Sequence, residues 1–252
     1  HAVINLHAQQ TLKEKYNRDS IVVPNVMDFD NPFGKITEHN KNLRKDLGLD
    51  DDDILLFQIT RIVRRKGIET AIKLINLLNN PKIKLIITGN YADDAGSEYY
   101  MELVDLIHQL KISKQVHFAY HSFSTKGFAG SVNDKSYSLS DAYAHARACT
   151  YFSTYEGFGN AFVEAVLAKK PIFLNNYKPV YWPDIGSKGF KTVMLEDNQI
   201  TDRALKEMQE IIYNDKLNQE IGEYNFQLGK QYFSYDRLEE KLSKLITLAT
   251  KK

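Results

Sequence analysis

Two carboxylates separated by seven residues bracket a glycine-rich turn in Glu156-Gly157-Phe158-Gly159-Asn160-Ala161-Phe162-Val163-Glu164. The first acid is expected in a loop and the second about one turn into a helix. Glycine lets a backbone approach a ligand closely. The helix N-terminus behind it offers unpaired N–H groups and the positive end of a dipole to an anion. Acids beside such a spot suit hydroxyl-rich groups attached to that anion, so the pairing of types points to a sugar joined to phosphate. A second constellation, Thr60-Arg61-Ile62-Val63-Arg64-Arg65-Lys66-Gly67, places four cations in six residues. Arginine brings a planar fork of donors and lysine a compact point charge. Each charge-assisted hydrogen bond is worth about 1.5–3 kcal/mol, so two of them with a helix dipole could hold a diphosphate. Arg61 and Lys66 are the cations assigned to that role; Arg64 and Arg65 are read as solvent-facing.

The elements that must position these residues follow a regular rhythm. Apolar strands are expected at 54–59, 83–88, 116–119, 149–152, 172–174 and 192–195. Helices are expected at 68–78, 98–110, 139–146, 160–168, 202–213, 216–231 and 235–248. Ile68, Ala71, Ile72, Ile75 and Leu78 recur at helical spacing. Before these come short strands at 3–6 and 21–23, a helix at 11–16, a turn at 31–34, and a helix at 40–47 ended by Gly48. Strands that are apolar throughout, alternating with helices, indicate an α/β fold: a Rossmann-like parallel sheet with helices on both faces. Ligands of such sheets bind at the carboxyl ends of strands, which puts loops 60–67, 119–138 and 153–160 on one rim. The loop between 122 and 138 is long for a connection and is read as a lid or adaptor near a nucleotide base, or else as a surface insertion.

Composition sets the remaining bounds. The 252 residues are 43% hydrophobic and 26% charged, and 33 basic against 32 acidic residues leave a net charge of +1. No global field draws the chain to nucleic acid or an anionic membrane, so an anion site must be local. The single cysteine, Cys149, excludes an internal disulfide framework and is expected in the core. No run of 18 apolar residues occurs. His1-Ala2-Val3-Ile4-Asn5-Leu6-His7 reads like the interior of a longer chain.

The motifs Arg61…Lys66-Gly67 and Glu156…Glu164, with Ala165-Val166-Leu167-Ala168-Lys169-Lys170-Pro171-Ile172 after them, resemble the donor-binding half of group 1 retaining glycosyltransferases of the GT-B fold. Ile21-Val22-Val23-Pro24-Asn25-Val26-Met27-Asp28 is similar to the link into the donor domain, and Phe233-Ser234-Tyr235-Asp236 to the start of the helix that crosses back. The resemblance implies three parts: residues 1–32 as the remnant of an amino-terminal acceptor domain and linker, 33–234 as the donor domain, and 235–252 as the crossing helix. It implies transfer of a hexose from a UDP- or GDP-linked donor to an acceptor hydroxyl with retention, without a cofactor or metal. Arg61 and Lys66 would neutralise the diphosphate, Glu164 would hold the ribose, and Glu156 with Gly157, Phe158, Gly159, Asn160 and Ala161 would orient the sugar. Arg61, Lys66 and Glu156 are the catalytic candidates. Partners implied are the donor and the missing acceptor domain, through which alone a membrane would be touched; the expected location is cytoplasmic, or peripheral at the inner face. This stretch by itself is expected to bind donor and transfer little. Alternatives are a phosphorylase or epimerase of the same fold, or a non-catalytic binding module. Thr60 stands where the family commonly has glycine, and 175–189 is bulkier and more aromatic than usual. Tyr177, Tyr181 and Trp182 there could stack on sugar, cover the core or meet the absent domain. Asp50-Asp51-Asp52-Asp53 is read as a solvated turn on the opposite rim rather than a metal site, and His117 and His121 as structural.

Overall fold

A computed structural model describes residues 1–91, 96–123 and 136–250. In chain order the elements are β1 (Ala2–Val3), α1 (Leu6–Tyr16), β2 (Ile21–Val22), α2 (Leu43–Asp46), β3 (Ile54–Gln58), a 3-10 turn (Arg64–Lys66), α3 (Ile68–Leu78), β4 (Ile83–Ile87), α4 (Gly96–Gln109), β5 (Val116–Phe118), α5 (Leu139–His145), β6 (Ala148–Tyr151), α6 (Asn160–Leu167), β7 (Ile172–Asn175), α7 (Tyr181–Asp184), a second 3-10 turn (Gly186–Lys188), β8 (Val193–Leu195), α8 (Asp202–Tyr213), α9 (Asp215–Phe233) and α10 (Tyr235–Thr250). Most of the lid assigned to the 122–138 loop lies outside the described residues.

Six strands form one sheet in the order β5-β4-β3-β6-β7-β8, all pairs parallel. Side chains alternate between faces along each strand, and both faces are covered. Leu55, Phe57, Cys149, Tyr151, Ile172 and Leu174 enter one core with α5 and α6. Leu56, Ala148 and Phe173 enter the other with α3, α4 and α8. Two buried faces require strands without polar alternation, which is why the sheet was readable as uninterrupted apolar runs. Cys149 is buried as expected, and burial pushes its thiol pKa up to about 12.

The chain enters the sheet at β3, winds outward through β4 and β5, returns to β6 beside β3, and winds the other way. The reversal between β3 and β6 leaves a crevice at their carboxyl ends. The loop after β3 carries the basic run, and the loop after β6 carries Glu156, with Glu164 on the helix that follows.

The amino-terminal part departs from the sequence reading. The strand expected at 3–6 is only Ala2–Val3, paired with Ile21–Val22. The helix begins at Leu6 rather than at 11, because Asn5 caps it: its Oδ1 accepts from Ala8 N–H at 2.7 Å. The Leu-His-Ala-Gln-Gln stretch lacks apolar periodicity, so only the cap marks its start. The helix expected at 40–47 shortens to α2, since the buried Asn40 side chain donates to Asp141 Oδ1 at 2.7 Å instead of facing water. Helix α10 packs against α9 and β2. No helix among the described residues is long and apolar enough to cross a membrane.

Candidate active site

The crevice is built from buried polar anchors upward. At the end of β3, Gln58 accepts from Thr150 Oγ1 on β6 at 2.6 Å and donates to Thr60 Oγ1 at 3.0 Å. This ties the start of the basic loop to the neighbouring strand. Gly67 ends the 3-10 turn at φ +60°, and a Cβ there would lie 2.2 Å from Phe152 O. Only glycine lets the two loops pass this closely, and the result is that Lys66 and Glu156 meet.

Lys66 Nζ donates to Glu156 Oε1, with both side chains about one-tenth exposed. Burial alone would raise the Glu156 pKa, but the Lys66 hydrogen bond and the Lys66 and Arg65 charges hold it below the usual carboxylate value. Burial lowers the Lys66 pKa, with Arg65 and Arg61 adding to the effect against the pull of Glu156. The lysine also lies over the Tyr151 ring, 5.4 Å from its centroid. Arg61 is exposed on the same loop, near enough for its charge to bear on Lys66.

The other two arginines differ from expectation in one case. Arg64 turns away, as read: its fork grips Glu102 at 2.7 and 2.9 Å. Arg65 does not simply face water. Its Nη1 lies 3.2 Å from Glu156 Oε1 and donates to Tyr155 O at 3.1 Å. A charge run carries no signal of which member turns inward, so the sequence could not single it out.

The glycine turn is held from both sides. Gly159, at φ +117°, caps α6, and Tyr177 OH donates to Phe158 O at 3.2 Å behind it. The first backbone bond of α6 runs from Phe162 N–H to Gly159 O, so the amides of Asn160 and Ala161 lie ahead of the helical ladder at the crevice. The Phe158 side chain is buried against Phe233, ring centroids 5.7 Å apart, which leaves its backbone as the part that can face a ligand. Tyr177 and Tyr181 are core residues, whereas Trp182 is exposed. One turn into α6, Glu164 Oε2 accepts from Tyr143 OH at 3.1 Å, and the same hydroxyl lies 3.2 Å from Ala161 O. Burial raises the Glu164 pKa, opposed by the Tyr143 hydrogen bond.

The amino-terminal segment reaches the same turn. Asn5 Nδ2 donates to Gly157 O, and Asn25 Nδ2 to Asn160 Oδ1, both at 2.5 Å. Leu6 N–H donates to Asp184 Oδ1 at 2.9 Å. Neither asparagine stood out in the sequence, because contacts across more than 130 residues leave no local pattern.

On the opposite rim, Lys82 Nζ lies 3.2 Å from Asp50 and 2.8 Å from Asp52. Asp53 departs from a solvated turn: it is buried, and its Oδ2 accepts from Asp50 N–H at 2.9 Å.

The family described as glycosyl transferases group 1 matches residues 39–228. The chain belongs to that family. Mannosylglucosylglycerate synthase of Thermotoga maritima is 33% identical over 264 residues, covering 97% of this chain and 60% of its own length. The enzyme of the same name from Petrotoga mobilis is 32% identical over 258 residues, covering 92% and 59%. The chain thus spans about 60% of these group 1 relatives. Among solved structures, Anabaena HepE in complex with UDP and glucose superposes with a TM-score of 0.75 at 18% identity, covering 98% of this chain and 62% of its own. Sucrose-phosphate synthase of Thermosynechococcus elongatus gives 0.72 at 16%, covering 99% and 58%. At these identities the likeness is one of fold, and it makes this group 1 transferase chain a GT-B half.

Proposed function

We propose that the chain is the donor-binding half of a retaining glycosyltransferase that moves a hexose from a nucleoside-diphosphate sugar to an acceptor hydroxyl. The observation that carries this is the meeting, at the β3/β6 switch point, of a buried lysine, exposed Arg61 and the acid-bearing glycine turn before α6. Arg61 and Lys66 take the diphosphate, and their charge stabilises it as the bond to the anomeric carbon breaks and negative charge develops on the leaving oxygen. The amides of Asn160 and Ala161 and the Glu156 carboxylate orient the hexose. Glu164, preset by Tyr143, accepts hydrogen bonds from the ribose diol. The residues before about 33 are the edge of an acceptor half, and no metal is assigned a role. Anabaena HepE in complex with UDP and glucose, and with UDP-glucose, supports a nucleotide-sugar donor, with UDP or GDP as the candidate carriers. The names of the curated relatives make a mannosylglucosylglycerate the first product to assay.

Calorimetry with UDP, GDP, ADP and their hexose conjugates tests the reading. One diphosphate series is expected to bind, and Arg61→Ala or Lys66→Ala to weaken it by at least about tenfold, while Arg64→Ala, paired away on Glu102, changes it less than about twofold. Equal affinities across all three variants would place the site elsewhere. Transfer is expected only when the chain is joined to an acceptor half; turnover by this polypeptide alone would refute that division.

A further inference from the structure

Glu156 has two cations within reach, and the proposed donor chemistry requires one of them elsewhere. Its Oε1 is hydrogen-bonded to Lys66 Nζ and lies 3.2 Å from Arg65 Nη1. Arg65 is fixed to the acid-bearing loop by both main chain and side chain: its carbonyl accepts from Thr154 N–H at 2.8 Å, and Nη1 donates to Tyr155 O at 3.1 Å. Its side chain is 39% exposed, against 10% for Glu156.

A lysine tied to a buried carboxylate is a poor phosphate ligand, and a buried carboxylate gives up its lysine only if another cation can hold it, because an unpaired buried charge is strongly unfavourable. Resting on the donor reading above, we propose that Arg65 is a positioning residue that takes over as counter-ion of Glu156, so that Lys66 Nζ can move from the acid to the diphosphate when donor binds. The chemistry of the two cations fits this division. Arginine's rigid fork has five donors, enough to hold Glu156 and Tyr155 O together. Lysine's ammonium sits on a flexible four-carbon stem and can swing. Burial and the charges of Arg65 and Arg61 disfavour the ammonium where it now sits, and a polyanion offers it a better partner. No proton changes hands: Glu156 stays ionised throughout, first shared by Lys66 and Arg65 and then held by Arg65.

The competing account is that Arg65 only adds positive charge at the mouth of the crevice. Titration of the full chain with UDP and GDP separates the two. With whichever nucleotide binds, Arg65→Met is expected to weaken affinity roughly tenfold, about 1.4 kcal/mol, because Lys66 is then held on Glu156 as its only counter-ion. Adding Glu156→Gln is expected to bring affinity back to within about threefold of the unaltered chain, since Lys66 is freed and neither nucleotide carries a hexose to miss the acid. Arg65→Lys should retain most of the affinity. Failure of the glutamine change to rescue, or no loss in Arg65→Met, would overturn the exchange. A crystal structure of the unaltered chain with the nucleotide gives a second readout that needs no variant: Lys66 Nζ on the diphosphate and Arg65 within hydrogen-bonding distance of Glu156 are expected, and Lys66 still on Glu156 would refute it. Binding of neither UDP nor GDP by the unaltered chain would remove the exchange, and failure of ADP as well would remove the donor reading.

Discussion

Asn5 Nδ2 donates to Gly157 O at 2.5 Å across 152 positions of chain, while Oδ1 of the same side chain caps α1 through Ala8 N–H. One amide thereby fixes both the start of the first helix and the carbonyl of the glycine turn. Its partner, Asn25, orients Asn160 at the mouth of α6. The turn is tied to a segment outside the six-stranded sheet, so a change at residue 5 should be felt at the proposed sugar site.

Asn5→Ser separates the two functions. Serine caps a helix about as well as asparagine but cannot reach Gly157 O. Unfolding free energy is expected to fall by about 1 kcal/mol, the net worth of one hydrogen bond. The affinity advantage of the nucleotide-sugar over its parent nucleotide should shrink several-fold, with nucleotide affinity itself nearly unchanged. Calorimetry and a denaturant titration check this; parallel losses for both ligands would contradict it.

The two glycines of the turn look equivalent in sequence and are not so in space. Gly159 sits at φ +117°, and a Cβ there would lie 2.3 Å from the Tyr177 hydroxyl, whereas nothing lies within 4 Å of a Cβ at Gly157. Gly159→Ala should cost about 1–3 kcal/mol from backbone strain alone, with the clash added to it, and should abolish sugar discrimination. Gly157→Ala should stay within about 0.5 kcal/mol of the parent. Thermal melts of the pair decide it, and equal losses would mean the turn is held differently.

Glu164 links stability to pH. Its folded-state pKa is raised by burial above the ordinary 4.5, so the native state holds the proton more tightly than the unfolded chain. That contribution is fully present below about 4.5 and is lost as pH rises through the raised value. Glu164→Gln keeps an acceptor for the Tyr143 hydroxyl without the buried charge. It is expected to raise stability at neutral pH while lowering the preference for nucleotide over inorganic pyrophosphate at least severalfold. In the unaltered chain, nucleotide affinity should fall as pH drops through the Glu164 pKa, and the glutamine variant should lack that step. A pH series of nucleotide titrations on both proteins measures it; identical profiles would remove Glu164 from the ribose site.

Local chemistry alone carried a good part of this protein. Apolar runs of strand length, a 3.6-residue period at Ile68–Leu78 and glycines after Lys66 and Glu156 are short-range signals, and they fixed the alternating elements and drew attention to Arg61, Lys66, Glu156 and Glu164. Strand order is not a short-range signal. Placing β6 beside β3 brought Lys66 to Glu156 across 90 residues, turned Arg65 inward while Arg64 went to Glu102, sank Phe158 into the core and set Tyr143 under Glu164. It also let Asn5 and Asn25 grip the turn from a segment whose helix start the sequence misplaced. Periodicity reports which face of an element is buried; which side chains share a charge or a hydrogen bond is decided only when the sheet closes and desolvation makes each buried polar group find a partner.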